Sequence, residues 1–161
     1  MARITVTHRH DQSFDVRVRG YALISDEPVT LGGDDEGPTP TELMIAGLAA
    51  CAADEVVKSL SEHGEKLERI EVGGDFDWDQ KGGRVACVRL TVRLPEGIST
   101  ESSEHVLQSV LACPARKMLT EPPTIEYEFD TGGVAVLAGR ADVRSWPAEP
   151  APDADSDGSE G

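Results

Sequence analysis

Apolar and polar residues alternate through the first 24 residues of the chain. A period of two is that of a β-strand with one buried face, and the polar segment 9–13 is short enough for a hairpin between two such strands. A shorter third strand is predicted over residues 21–24. The apolar positions of the first two strands are Ile4, Val6, Phe14, Val16 and Val18.

The pattern changes after a loop at residues 26–38, which combines glycine, proline and acidic residues. Thr39 is suited to be the N-cap of a helix, Pro40 fits the first helical position, and Glu42 completes a capping box. The predicted helix ends at Gly64.

Between residues 43 and 57 this helix is apolar on nearly every side, interrupted mainly by Asp54 and Glu55. A surface helix normally carries a single apolar stripe. One sheet of a small domain cannot cover a helix on all sides, so we predict that a second subunit covers the remainder.

The second half of the chain predicts a hairpin, a helix and two closing strands. Ser99 or Thr100 caps the helix, and Pro114 kinks or restarts it because proline lacks the N–H that a helix interior needs. The predicted strands cover residues 67–79, 83–94, 124–129 and 134–137. Together with the first half, this order of elements predicts the α+β class.

The length of 161 residues fits a single domain with a tail. Beyond about Arg140 the sequence is rich in proline, alanine, serine, glycine and acids, and it cannot bury enough surface to offset its ordering entropy. We therefore predict a folded domain over residues 1–139 and an acidic, disordered tail over residues 140–161.

The formal net charge of −15 argues against a nucleic-acid or membrane partner, because both would repel such a surface. No segment approaches the roughly 20 apolar residues of a membrane span, and the N-terminus lacks the apolar run of a secretory signal. The lack of both segments, together with the odd number of cysteines, predicts a cytoplasmic protein. The acidity also fits an adaptation to high salt, which screens self-repulsion.

The cysteines are the main candidates for chemistry. Cys51 lies about three turns into the long helix, where activation needs a cation or a helix end from elsewhere, and packing is the alternative role. Cys113 precedes Pro114, which disfavours helical geometry at the preceding residue and so presents the sulfur. Cys87 lies in a predicted strand, where packing is expected.

Other site chemistries have little support in the sequence. No C-x-x-C or H-x-x-x-H spacing is present, and His8 and His10 form only a surface strand pair, so no metal site is predicted. A G-x-S-x-G elbow is missing, and the glycine pairs lack the context of a phosphate loop. No cofactor is expected.

Two motifs resemble those of a known family. Residues 37–51, GPTPTELMIAGLAAC, are similar to the signature helix of the OsmC/Ohr family of osmotically inducible and organic hydroperoxide resistance proteins. Residues 112–119, ACPARKML, are similar to its second motif, a Cys-Pro pair that opens a short helical turn. With the matching order of strands and helices, the resemblance spans about residues 3–137.

This resemblance implies an intertwined α+β homodimer in which long central helices are wrapped by antiparallel sheets from both subunits. In the family the first cysteine is peroxidatic and the second is resolving, and organic hydroperoxides are the preferred oxidants. Carried over by motif, Cys51 attacks the peroxide to give a sulfenic acid, and Cys113 condenses with it to a disulfide. The substrate is then a small hydroperoxide, and a dithiol of undetermined identity is the reductant.

Glu42 matches the general family pattern Pro-x-Glu-Leu and is the third candidate catalytic residue. It lies nine residues before Cys51, roughly 13 to 14 Å along the helix and on the opposite face, so any contact passes through an arginine or the partner's helix. Its capping box is an alternative role. Arg17 and Arg19 are available to activate Cys51, although strand alternation places both on the solvated face.

Two functions remain open at this point. The first is a thiol-dependent peroxidase, an enzyme that reduces organic or other hydroperoxides through Cys51 and Cys113. The second is an OsmC-like dimer that binds an apolar ligand or partner, or that senses redox state, without efficient peroxidase activity.

Overall fold

A computed structural model describes residues 3–127 and the backbone of residues 139–141. The chain divides into two compact units, Met1–Lys117 and Met118–Gly161. The elements are β1 (Ile4–His10), β2 (Ser13–Val18), β3 (Tyr21–Ser25), a 3-10 turn (Val29–Leu31), α1 (Pro40–Glu62), β4 (Glu71–Trp78), β5 (Val85–Arg93), α2 (Thr100–Leu111), α3 (Pro114–Thr120), β6 (Ile125–Tyr127) and β7 (Gly139–Ala141). The predicted α+β class is confirmed.

The first three strands form an antiparallel sheet in the order β1-β2-β3. The register pairs Val6 with Val16 and Val16 with Leu23, so these side chains share one face of the sheet. We call this apolar surface the outer sheet face. Its members, which are half-buried or exposed within the chain, are Ile4, Val6, Val16, Val18, Tyr21 and Leu23.

Helix α1 begins as predicted. The Thr39 hydroxyl accepts the Glu42 N–H at 3.2 Å, and the Glu42 carboxylate accepts the Thr39 N–H at 2.8 Å, which completes the capping box. The helix ends at Glu62 with His63 as its C-cap, and Gly64 follows with φ of 69°, a left-handed conformation that favours glycine.

The core of the first unit lies between α1, α2 and the β4-β5 hairpin. Val56, Leu60 and Val106 are its buried centre. Helix α1 approaches β4 closely at Gly74, where an added Cβ would lie 3.0 Å from a methyl carbon of Ile45. A larger residue at Gly74 would therefore push α1 away from the hairpin.

Only one stripe of α1 is buried within the chain, so the predicted burial on all sides is not provided by this chain alone. The remaining surface includes Met44, which is 63% exposed, and Val57, which is 38% exposed. Coverage by a second subunit therefore stays a prediction. The buried stripe consists of Ile45, Leu48, Ala52, Val56, Ser59 and Leu60.

The second unit contains the antiparallel pair β6-β7. Strand β6 falls within the predicted strand 124–129, whereas the predicted strand 134–137 lies outside the described residues. Strand β7 reaches two residues into the segment 140–161 that was predicted to be a tail, and the rest of that segment also lies outside the described residues.

Candidate active site

The structure brings two of the three predicted catalytic residues together. The Cys51 thiol, about three turns into α1, lies within hydrogen-bonding reach of the Cys113 thiol. Cys113 is the N-cap of α3, since its carbonyl oxygen accepts the Lys117 N–H at 3.0 Å. Cys51 is half-buried and Cys113 is only 1% exposed, and both are free thiols.

The environment of Cys51 favours its protonated form. The hydrogen bond with Cys113 raises the pKa of the Cys51 thiol most, and burial and the nearby Cys113 and Glu55 raise it further. One group acts in the opposite direction, because the backbone N–H of Ala115 donates to the sulfur and stabilises the thiolate. The net effect is a raised pKa.

Glu55 lies one turn after Cys51 on the same side of α1. Its carboxylate pairs with the Lys58 ammonium at 3.1 Å, and Lys58 also contacts Asp54 at 2.6 Å. The two carboxylates raise the pKa of Lys58 above its ordinary value and keep it charged. Lys58 therefore offsets part of the negative charge that Glu55 places near Cys51.

A cavity of about 270 Å³ adjoins Cys113 within the first unit, and we call it the thiol-side cavity. It lies between α1, β5 and the end of α2, and its described lining is apolar apart from Cys113 and Arg116. The Arg116 guanidinium is held by a hydrogen bond of 2.9 Å to the Leu111 carbonyl oxygen. The lining consists of Leu48, Ala52, Val88, Leu90, Val110, Leu111, Cys113 and Arg116.

The third predicted catalytic residue, Glu42, is separated from the thiol pair. Besides its capping role, it lines a cavity of about 520 Å³ between α1 and β4, which we call the helix–sheet groove. The α1 residues of this groove point away from Cys51 around the helix. Within one chain, the Glu42 carboxylate therefore cannot contact the Cys51 sulfur. The other lining residues are Ile45, Ala46, Ala49, Ala50, Ala53, Val72, Gly74 and Phe76.

Neither arginine considered from the sequence is among the groups that contribute most to the pKa of Cys51. Arg17 is exposed on β2, and the Arg19 guanidinium lies 5.3 Å from the centre of the Tyr21 ring. The expectation that Cys87 packs in its strand is wrong within this chain, because Cys87 is exposed on β5 opposite Asp77.

Three exposed side chains at the surface could together hold a metal ion. The ligand atoms of His10, Asp11 and Asp34 lie within 4.8 Å of one another. His10 Nδ1 lies 3.5 Å from the Asp11 carboxylate and 3.6 Å from that of Asp34. Contacts between the imidazole of His10 and the two carboxylates account for this arrangement without a metal.

Two features of the site were missed from the sequence. The Ala115 N–H reaches Cys51 only because α3 begins beside α1, and local patterns carry no signal for that approach. Glu55 had a signal, since it lies four residues after Cys51 and thus on the same helical side. In the sequence pattern, Glu55 is an interruption of the apolar surface of the helix.

The model of the OsmC-like protein family matches residues 33–128, which is more than half of the chain. The chain therefore belongs to the OsmC-like family. The matched segment contains both Cys51 and Cys113. A comparison with curated proteins found no significant match.

Solved structures share the fold at low sequence identity. An osmotic stress induced and detoxification response protein from Psychrobacter arcticus is 19% identical, with a TM-score of 0.67 over 73% of this chain and 87% of its own. An OsmC like protein from Mycoplasma pneumoniae is 16% identical, with a TM-score of 0.64 over 76% and 89%.

An organic hydroperoxide resistance protein from Vibrio cholerae, with captopril bound in one of its active sites, is 19% identical. Its TM-score is 0.56, and the match covers 72% of this chain and 83% of that protein. At these identities the likeness establishes the fold.

Among the described residues, no helix is long and apolar enough to cross a membrane.

Proposed function

We propose that this protein is a thiol-dependent peroxidase that reduces organic or other hydroperoxides. The observation that carries the proposal is the contact between the Cys51 and Cys113 thiols, with the Ala115 N–H directed at the Cys51 sulfur. Family membership supports it, since organic hydroperoxide resistance proteins are among the structural neighbours.

In the first step, the Cys51 thiolate attacks one peroxide oxygen and the O–O bond breaks. Cys51 becomes a sulfenic acid, and the alcohol leaves after taking up a proton. The Cys113 thiol then attacks the sulfenic sulfur, which forms the disulfide and releases water. A dithiol reduces the disulfide and is itself oxidised to a disulfide, which restores both thiols.

The Ala115 N–H favours the attacking thiolate, because an oriented backbone donor stabilises negative charge on sulfur. The raised pKa of Cys51 keeps the thiolate a minor species at neutral pH. Below that pKa, the rate of peroxide reduction should therefore rise about tenfold per pH unit. Glu42 takes part only if a second subunit brings it to the thiol pair, and capping remains its other role.

Stopped-flow mixing of the reduced protein with an alkyl hydroperoxide tests the proposal. The wild type should consume one peroxide per Cys51 in a first turnover, and Cys51→Ser should consume none above the background rate. Cys113→Ser should consume one peroxide per Cys51 and then stop at the sulfenic acid, which dimedone traps for mass spectrometry. Cys87→Ser is the matched control and should behave like the wild type.

Peroxide consumption that does not depend on Cys51, or no consumption of any alkyl hydroperoxide, would refute the peroxidase. In that case the thiol-side cavity favours the second candidate, an apolar-ligand-binding protein, because its lining is largely apolar. Cys51→Ser would then leave ligand binding intact.

We also propose that the protein acts as a homodimer. The outer sheet face and the helix–sheet groove are both apolar and are both left open by the single chain. The sheet of one copy covering the groove of the other would bury both surfaces, and the resemblance to the family implies such an intertwined arrangement. Burial of α1 on its remaining side would follow.

A pair of charge substitutions on β1 tests this arrangement by light scattering. Val6 lies on the outer sheet face, whereas Thr5 lies on the opposite face and pairs with Arg17. Val6→Asp should be monomeric at concentrations where the wild type and Thr5→Asp are dimeric. A wild type that is monomeric throughout would contradict the dimer, and a dimeric Val6→Asp would contradict the surface assigned to it.

A further inference from the structure

A third cavity, of about 650 Å³, lies away from the thiol pair, between the loop 26–38, the start of α1 and the end of β4. We call it the aromatic cavity. Its apolar walls include Phe76 and Trp78, and two carboxylates, those of Glu27 and Glu42, lie on its lining. The loop contributes Pro28 and Leu31 to the opposite wall.

The aromatic wall is a corner made of two rings. Phe76 and Trp78 lie two residues apart on β4, with ring centres 6.0 Å apart and ring planes at 75°. The pairing register shifts between Asp77 and Trp78, because Ala86 on β5 has no paired residue on β4. Trp78 is 51% exposed within the single chain, so that chain alone leaves its indole ring open to a ligand.

The carboxylates that line the aromatic cavity are not paired with basic residues of its described lining. Glu27 is half-buried, and its carboxylate has no partner among the described residues. Glu42 accepts the Thr39 N–H through Oε2, and no described group bonds its Oε1. None of the described lining residues is basic. The cavity therefore combines negative charge with aromatic surface.

The loop wall is fixed in place before any ligand binds. The buried Asp26 carboxylate accepts the N–H groups of Glu27, Asp34 and Glu36 at 2.8 to 3.1 Å. At Gly33 an added Cβ would lie 1.9 Å from the Glu27 carbonyl oxygen, so the loop closes tightly on the segment that carries Glu27. A preordered wall lowers the entropic cost of binding.

From this combination we propose that the aromatic cavity binds an organic ammonium cation with a small apolar body. The rings attract the cation through their negative faces, and Glu27 supplies the opposite charge. An anion would be repelled by both carboxylates. A bare metal ion would gain little from the aromatic and aliphatic walls, because hard cations take oxygen ligands.

Titration of the full-length protein with choline tests the proposal, with the indole N–H signal of Trp78 followed by nuclear magnetic resonance. Trp146→Phe assigns that signal, since the chain has only two tryptophans. Choline should shift the Trp78 signal saturably. Its neutral isostere 3,3-dimethylbutan-1-ol should bind about tenfold more weakly, because it lacks the charge that the rings and Glu27 attract.

Glu27→Gln should weaken choline binding about tenfold, and the exposed Glu96→Gln, which removes the same charge elsewhere, should leave it unchanged. Phe76→Leu should also weaken binding, while Cys51→Ser should not. Equal binding of choline and the neutral isostere, or an unaffected Glu27→Gln, would overturn the proposal. A Trp78 signal that responds only when Val6→Asp has separated the subunits would overturn it as well, because the partner chain would then be the occupant.

Discussion

At the scale of single residues, Cys51 is governed by groups that are distant in sequence. The thiol of Cys113 and the N–H of Ala115 both reach its sulfur, and they act on its pKa in opposite directions. The local sequence of Cys51 is that of a packing residue on an apolar helix. Only the motifs shared with the family indicated that its partner would be Cys113.

The charge of Glu55 offers a direct test of how Cys51 is tuned. Glu55→Gln should lower the pKa of Cys51, because it removes a negative charge that disfavours the thiolate. Lys58→Met should raise that pKa, because it removes the cation paired with Glu55. The pH dependence of alkylation of Cys51 by iodoacetamide, followed by mass spectrometry in a Cys87→Ser background, measures both shifts.

Glu62→Gln is the matched control for this test, since Glu62 is exposed near the end of the same helix and carries the same charge. It should leave the alkylation profile of Cys51 close to that of the wild type. If the profiles of Glu55→Gln and Glu62→Gln coincide, Glu55 does not influence the thiol.

At the scale of elements, boundaries set by neighbouring residues were predictable. Thr39 and Glu42 fix the start of α1 through contacts within three residues, so the capping box could be deduced from the sequence. Strand β4 begins later than predicted, at Glu71, and Arg69 just before it has φ of 60°, which interrupts extended geometry.

The exposure of side chains was less predictable than the elements themselves. The apolar residues of α2 include Val106, Leu107 and Leu111, yet Leu107 and Leu111 are 55% and 42% exposed, while Val106 is buried. The periodicity of α2 allows more than one apolar stripe, and contact with α1 selects the one that includes Val106. The spacing of apolar residues in the sequence does not indicate which stripe of α2 is buried.

Removal of the N-cap should destabilise α1 measurably. Thr39→Ala removes the acceptor for the Glu42 N–H and should lower the free energy of unfolding by about 1 kcal/mol in urea titrations. Thr100→Ala is the control, because Thr100 is the first residue inside α2 and its cap is Ser99. Equal losses in the two variants would mean that the Thr39 cap adds nothing specific.

The loop before α1 should carry a pH-dependent part of the stability. Burial alone would raise the pKa of Asp26, but hydrogen bonds from the N–H groups of Glu36, Asp34 and Glu27, with the nearby His10, lower it below the ordinary 3.8. Ionised Asp26 therefore stabilises the folded state above that value, and this contribution is lost as the pH falls through the lower folded-state pKa.

Asp26→Asn should accordingly be less stable than the wild type at neutral pH, with the difference shrinking as the pH falls below 3.8. Urea unfolding at a series of pH values measures the difference. Asp75→Asn, at an exposed position on β4, is the control and should show no such convergence. A stability gap for Asp26→Asn that is constant with pH would contradict a charged Asp26 in the folded loop.

At the scale of the whole molecule, the net charge of −15 is the dominant feature. The described ion pairs are largely solvent-exposed, such as the contact of Arg89 with Asp77 at 3.7 Å, and exposed pairs contribute little stability. The excess of acids over bases leaves a net self-repulsion that ion pairs cannot remove. Association of two such chains would double the charge that has to be screened.

The melting temperature should therefore rise as KCl increases from about 0.01 M to about 1 M, where the Debye length falls from about 30 to about 3 Å. A gain of about 1 to 2 kcal/mol corresponds to a rise of several degrees for a chain of this size. A variant combining Asp75→Asn, Glu96→Gln and Glu121→Gln should melt higher at low salt and respond less to KCl, because its self-repulsion is weaker. Differential scanning calorimetry of the wild type and this variant measures both effects. A melting temperature of the wild type that stays constant or falls as KCl increases would show that charge repulsion does not limit the stability of the fold.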